Sequence, residues 1–307
     1  MAYFLAVDSG GTKTRCVLAD ETKVLAEAST GTVKLMRIGE AEATARMRAL
    51  LAEVSASAGV DLREVTQSCF GMGGAGIPAM QEWTRTTMAA AVGGEVELCG
   101  DEHIALDAAF KGGPGILLVA GTGVIVAGRG IDGTIYGASG FGPILGDEGS
   151  GFWIGLEGIK AGLWARDREI KTSLLAEIQA FWGLQSVGDL LEKGNAQPGP
   201  DFAAVCPVVV RCAAAGDELA EAVLRRAGTE LAEPVALMAV KMMESGEGSG
   251  SDIGVAYTGS VLEHIDVVRE SMIAVLREST PHARVILGAV DPLEGALWRA
   301  RNAAGLV

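Results

Sequence analysis

The sequence predicts an α/β fold made of two domains that open in the same way. Three observations carry this. A chain of 307 residues with 49% apolar residues can bury a large core and is long for a single domain. Short apolar runs alternate with segments of helical periodicity, the pattern of sheets covered by helices. A strand–glycine turn–strand pattern at residues 3–20 returns at 115–130.

Residues 3–8 and 14–20 read as two strands joined by a glycine turn, and "DETK" at 20–23 turns the chain into a third. From residue 40 to 58, Ala43, Met47, Leu50, Leu51 and Val54 recur at helical spacing. "SCFGMGGAG" predicts a short strand ending in glycines, followed by a helix around 79–92. "EVELCGDEHIALDAAF" predicts a strand, a turn at Gly100-Asp101 and a helix from about 102 to 110.

"GGP" at 112–114 is the expected crossing between domains, which puts the first at 1–113 and the second at 114–291. A C-terminal helix at 292–307 is expected to complete the first domain. "GILLVAGTGVIVAGRG" then repeats the opening hairpin, with a further turn at "DGTIYG". "GFWIGLEGIKAGLWARD" opens a helix, and residues 171–183, 201–215 and 217–244 supply more. "SGEGSGSD" at 245–252 has the composition of a flexible loop, and "IGVAYTGSVLEHIDVVRESMIAVL" returns to strand, turn and helix. "ARVILGAV" is read as the last strand.

Composition excludes several classes. A net charge of −14 with no basic cluster argues against nucleic-acid binding, which needs a basic face. No apolar run reaches the roughly 18 to 20 residues of a membrane span, and the N-terminus has no signal-peptide pattern, so a cytoplasmic protein is expected. Cys16, Cys69, Cys99, Cys206 and Cys212 form no CxxC pair and no zinc-ligand spacing, and read as reduced core residues.

Three stretches could carry chemistry. "DSGGTKT" is not a Walker loop, because Thr12 separates Gly11 from Lys13 and a strand follows where a helix is required. An ordinary hairpin turn explains it, and so does a phosphate loop. Gly10 and Gly11 let backbone N–H groups approach an anion, Ser9 and Thr12 add hydroxyls, and Lys13 adds charge. Asp8 at the strand end could hold a hydrated magnesium ion. "AGTGV" at 120–124 is a second such turn, and two of them could clamp the phosphates of a nucleotide. In "GFGPILGDEGSGFWIG", Asp147 and Glu148 stand between glycines just before a helix, with Ser150 as a possible N-cap. An acidic helix start alone would also account for them.

Taken in order, "DSGGTKT", "GDEHIAL", "AGTGV", "GFGPILGDEGSGFWIG" and "TGSV" resemble the N-acetylglucosamine kinase family, grouped with the BadF/BadG/BcrA/BcrD-type ATPases. The resemblance runs from the first strand to "LGAVDPLEGALWRA". It implies two actin-like (ribonuclease H-like) domains of the actin, hexokinase and Hsp70 superfamily, with an ATP cleft between them. It implies ATP and Mg2+, a small-molecule sugar substrate, and a homodimer.

By the same resemblance Ser9, Gly10, Gly11, Thr12 and Lys13 form the first phosphate loop, and Gly121, Thr122 and Gly123 the second. Asp101 corresponds to the general base on the sugar hydroxyl, with Glu102 and Asp107 competing on spacing alone. Asp101 is preferred for its place at a strand-to-helix turn. Asp147 and Gly142 line the sugar pocket, Gly259 and Ser260 lie beside adenosine, and Gly216 approaches the adenine. The last three also read as ordinary turns.

The chain departs from the family pattern in three places. Ser9 replaces a glycine, and Val124 a serine. "TGTVKLMRIG" at 30–39 lacks the asparagine that contacts the sugar, leaving Val33 or Lys34 nearest. Lys34 either faces an anionic group of a modified sugar or is a solvated surface residue. The expected function is an ATP-dependent amino-sugar kinase. The alternatives are a BadF-type ATPase that activates a partner enzyme and a non-catalytic sugar-binding regulator.

Overall fold

The first two strands are apolar on consecutive residues rather than alternate ones, because both faces of their sheet are covered. Leu5, Val7, Cys16 and Leu18 enter one buried cluster, while Phe4, Ala6, Val17 and Ala19 enter another on the opposite face. The computed structural model describes residues 2–244 and 252–307. Two units divide the chain, Met1–Gly113 with Val290–Val307, and Pro114–Ala289.

In the first unit, β1 (Tyr3–Ser9), β2 (Lys13–Ala19) and β3 (Val24–Gly31) form an antiparallel meander. A four-residue helix, α1 (Leu35–Ile38), precedes α2 (Glu40–Ala58). The buried residues of α2 are Ala43, Met47, Leu50, Leu51 and Val54, the residues picked out by helical spacing, and Gly59 ends the helix in the left-handed region. Then follow β4 (Val65–Met72), α3 (Pro78–Ala91), β5 (Glu95–Cys99) and α4 (Asp101–Phe110). Both β4 and β5 run parallel, β4 beside β1, giving the order β3-β2-β1-β4-β5.

The second unit repeats this plan. An antiparallel meander of β6 (Gly115–Ala120), β7 (Val124–Arg129) and β8 (Ile135–Ser139) is followed by helices. These are α5 (Gly151–Asp167), α6 (Leu174–Trp182), α7 (Val187–Gly194), α8 (Cys206–Ala214) and α9 (Glu218–Glu244). Next come β9 (Ile253–Thr258), α10 (Ser260–His264), α11 (Asp266–Ser279) and β10 (Ala283–Val285). The order β10-β9-β6-β7-β8, with β9 parallel to β6, mirrors the first sheet. Each unit is therefore an α/β body with a five-stranded mixed sheet, the actin-like plan.

Two readings change. The helix α7 was not expected; the Ser186 hydroxyl accepts from the Asp189 N–H, and the Asp189 carboxylate accepts from the Ser186 N–H, a capping box that marks its start. The last strand stops at Val285, because Ile286 and Leu287 are exposed and Gly288 turns at φ 97°. The glycine- and serine-rich stretch at 245–252 lies, except for Asp252, outside the described residues.

The chain's last helix, α12 (Pro292–Ala303), returns to the first unit. Leu293, Ala296, Leu297 and Ala300 fill the cluster that holds Phe4, Ala6 and Ile104. Arg299 reaches from α12 to Asp107 on α4 at 2.5 Å and also pairs with Glu97 on β5. Among the described residues no helix is long and apolar enough to cross a membrane.

Candidate active site

The turn between β1 and β2 closes with the Gly10 N–H donating to the Lys13 carbonyl at 2.9 Å. Its other carbonyls are occupied from behind. The Thr32 hydroxyl donates to Gly10 O at 3.1 Å, Arg37 to Gly11 O at 2.8 Å, and the Thr32 N–H to Thr12 O at 2.9 Å. Among the described residues no acceptor takes the N–H groups of Gly11 and Thr12, and Thr12 and Lys13 are exposed. A pair of free amides beside a lysine can receive an anion. Ser9 differs from its neighbours: it is fully buried, its hydroxyl 3.4 Å from that of Thr14 beneath the turn.

Asp8, at the end of β1, has its carboxyl pushed up to about 6 by burial and by Asp291, against the opposing charge of Arg15. Asp101 is the first residue of α4, one position ahead of the expected helix start. Burial, a hydrogen bond donated to Glu102, and the charges of Glu102 and Asp8 push its carboxyl up to about 6, while Lys34 opposes them. Lys34 caps α1 and is half-buried; its neighbour Val33 is wholly in the core. A Cβ on Gly73, just after β4, would stand 2.6 Å from Lys34 Nζ and 2.8 Å from Asp101 Oδ2. The bare glycine thus leaves room for both the ammonium and the carboxylate to approach the same stretch of backbone.

The two competing carboxylates are otherwise engaged. Glu102 Oε1 lies 3.1 Å from His103 Nδ1, and bonds with His103 and Asp101 hold Glu102 down at about 2. Asp107 is 1% exposed, paired with Arg299, and accepts from the Gly112 N–H at 3.1 Å.

In the second unit, the turn between β6 and β7 is held by α5. The Gly151 N–H donates to Gly121 O at 2.8 Å and the Phe152 N–H to Thr122 O at 3.3 Å. Ser150 caps α5, its hydroxyl accepting from the Trp153 N–H at 3.1 Å. Asp147, in the acidic loop before α5, is buried in the left-handed region at φ 63°. Its carboxyl is raised by burial and accepts from the N–H groups of Val124 and Gly142, yet Oδ1 has no hydrogen-bond partner. A buried acceptor without a donor is costly, so Oδ1 has capacity for one hydrogen bond from a donor outside the chain. Gly142 turns at φ 84° with open space around it.

A cavity of about 400 Å³ starts at Gly121 and Thr122 and passes Ser260. Its walls are mostly apolar, from Cys206, Pro207 and Val210 on α8 and Val261 and Ile265 near α10, with Arg211 and His264 at hand. Gly259 begins α10 at φ 103°, and a Cβ there would meet Ala120 O at 2.4 Å. Glu263 fixes this turn, accepting from the Gly259 N–H at 2.7 Å and the Thr258 hydroxyl at 2.9 Å. Gly216 ends α8 at φ 89° and is not among the lining residues. The α8 wall was missed from sequence because an apolar helix face reads as core.

Residues 5–300 match the model of the BadF/BadG/BcrA/BcrD ATPase family. An N-acetylmuramic acid/N-acetylglucosamine kinase from Clostridium acetobutylicum is 28% identical, over 98% of this chain and 99% of its own. An N-acetyl-D-glucosamine kinase from Dictyostelium discoideum is 26% identical, over 97% and 98%. Among solved structures, a candidate N-acetylglucosamine kinase from Chromobacterium violaceum superposes with a TM-score of 0.75 at 26% identity, covering 97% of this chain and 98% of its own. A ROK family glucokinase from Streptomyces griseus, at 18% identity and a TM-score of 0.64 over 98% and 100%, shares the fold. The chain belongs to the BadF/BadG/BcrA/BcrD ATPase family.

Proposed function

We propose that the chain is an ATP-dependent sugar kinase that transfers the γ-phosphoryl group of ATP to a hydroxyl of an amino sugar, N-acetylglucosamine or glucosamine first. The observation that carries this reading is Asp101: a largely buried carboxylate at a helix start, beside Lys34, with its proton affinity near 6. A general base works best when its proton affinity lies near the working pH. Glu102, held at about 2, is too weak a base, and Asp107 is tied to Arg299. Both relatives described above carry N-acetylglucosamine in their names, which supports an amino sugar as substrate.

In this reading Asp101 accepts the proton of the sugar hydroxyl as its oxygen bonds to the γ-phosphorus and the bridging oxygen leaves with ADP. Asp147 Oδ1 takes a hydrogen bond from a sugar hydroxyl, with Gly142 lining the same side and Lys34 next to the reacting group. The amides of Gly11 and Thr12, with Lys13, receive phosphate oxygens, as does the Gly121–Gly123 turn. Adenosine takes the 400 Å³ cavity beside Gly259 and Ser260. A role for Gly216 at the adenine would need a ligand reaching past that cavity.

Asp8 suits magnesium held through water. It is a single, under-neutralised carboxylate at a strand end, and magnesium keeps most of its waters when few carboxylates are offered. When bound, the ion would neutralise charge on the phosphates. The test is sugar-dependent ADP release across amino sugars, neutral hexoses and acidic sugars. Turnover with N-acetylglucosamine or glucosamine is expected. Nucleotide binding with no sugar-dependent release would overturn the reading.

A further inference from the structure

Outside the proposed site, the first unit holds a pair of thiols with no assigned role. Cys69 on β4 lies opposite Glu97 of the parallel strand β5, so Cys99, two residues further, shares its face of the sheet. The two Sγ atoms are 3.8 Å apart, in contact but unbonded. Among the described residues no other two cysteine sulfurs are in hydrogen-bond contact.

The environments of the two sulfurs differ. Cys69 is fully buried, and its hydrogen bond with the Cys99 thiol, together with burial, pushes its proton affinity far above the ordinary range. Cys99 is half-buried and lines a cavity of about 520 Å³ together with Glu102, His103 and Arg299. A small oxidant can reach Cys99 there. Arg299, held by Glu97 and Asp107, lines the same cavity as Cys99. Cys99 is also the last residue of β5, separated from Asp101 only by Gly100.

We propose that Cys69 and Cys99 are a redox modification site, closed to a disulfide by a peroxide, and that closure displaces the β5–α4 turn carrying Asp101. The Cys99 sulfur, giving up its proton, attacks one peroxide oxygen; the S–O bond forms, the O–O bond breaks, and the other oxygen takes up that proton and leaves as water. The Cys69 sulfur then attacks the Cys99 sulfenic acid, giving up its proton; the S–S bond forms, the S–O bond breaks, and a second water leaves. Two thiols are oxidised and one peroxide is reduced. Bonding brings the sulfurs from 3.8 Å to about 2 Å, a movement that falls on the end of β5, since Cys69 lies within β4. The effect on turnover rests on the kinase reading; the modification itself does not.

The test treats the full chain with hydrogen peroxide and reads it by intact mass and a non-reducing peptide map. The expected result is a loss of about 2 Da, two hydrogens, with Cys69 linked to Cys99 and both changes undone by dithiothreitol. Amide exchange over residues 100–103 should rise on oxidation. Sugar-dependent ADP release should fall about tenfold or more, as expected when a reacting group is misplaced. Cys99→Ser, and separately Cys69→Ala, should keep the reduced protein's turnover and lose its sensitivity to peroxide. Added oxygen on Cys99 without a link, or a link through Cys16, Cys206 or Cys212, would overturn the pairing. A link that leaves both exchange and turnover unchanged would overturn the coupling to Asp101. A chain with no sugar turnover fails the kinase reading alone, since linkage and exchange are still read.

Discussion

Asp147 Oδ2 lies 2.6 Å from where a Cβ on Gly123 would stand. The glycine turn after β6 and the acidic loop before α5 are therefore one construction, since the carboxylate occupies the space a side chain would take. Gly123→Ala should push the carboxylate off its bonds with the Val124 and Gly142 N–H groups. A loss of about 10²-fold in kcat/KM for the sugar is expected, with Tm changed by only a few degrees. Steady-state kinetics beside a thermal melt would check it; unchanged kinetics would remove Asp147 from the sugar side.

Asp101→Asn should lower kcat by about 10²–10⁴-fold while nucleotide binding stays close to wild type. The asparagine fills the same space but cannot accept the hydroxyl proton. Calorimetric titration with a non-hydrolysable ATP analogue, next to ADP release, separates the two. Wild-type turnover would take the base role from Asp101.

Turnover and stability should respond to pH in opposite directions. Asp101 must be ionised to act, so kcat/KM should rise through about pH 6 and then level off. The folded chain holds that proton more tightly than the unfolded chain, whose value is near 3.8. The corresponding stability is complete below about pH 4 and is lost as pH rises through 6. Asp8 adds to the same trend. Asp101→Asn should therefore stabilise the protein at pH 7, by about 1 kcal/mol, and flatten part of the dependence of Tm on pH.

Lys34→Gln removes the positive charge that opposes proton uptake by Asp101. The acid limb of the kcat/KM profile should move up by about half a unit to one unit. Lys34→Arg should return it most of the way. An unmoved profile in the glutamine variant would mean that Lys34 does not act on Asp101.

Arg299→Ala should destabilise the protein by about 3 kcal/mol, because it takes the guanidinium from a carboxylate that is 1% exposed. Denaturant melts would read this. Replacing Glu97, the more exposed partner, should cost much less, since its charge stays near water.

Local signals carried much of the fold. The helix at 40–58 was legible because five buried residues follow its period and Gly59 ends it. The repeated hairpin was legible because glycine turns separate apolar runs. Pairing of β1 with β4 was not, since it joins strands far apart in the chain without a local cue. In α7 the capping residues Ser186 and Asp189 were present in the sequence, but eight residues give little periodicity to find. At the candidate site, Asp101, Glu102 and Asp107 are equivalent carboxylates on paper. What separates them is His103 next door, Lys34 across Gly73, and Arg299, which lies 192 residues from Asp107. Contacts over that distance follow from tertiary packing and leave no pattern in the residues around them.

The return of α12 to the first unit bears on how the chain is made. The cluster around Phe4 and Ala6 lacks Leu293, Ala296, Leu297 and Ala300 until the nearly 300 residues up to them have left the ribosome. The unit of Pro114–Ala289 is continuous and can complete its core while the earlier strands still wait for their last helix. During synthesis the amino-terminal sheet is thus the late folder, and a chain cut short before residue 292 would expose one face of β1 and β2 to whatever meets nascent apolar surface.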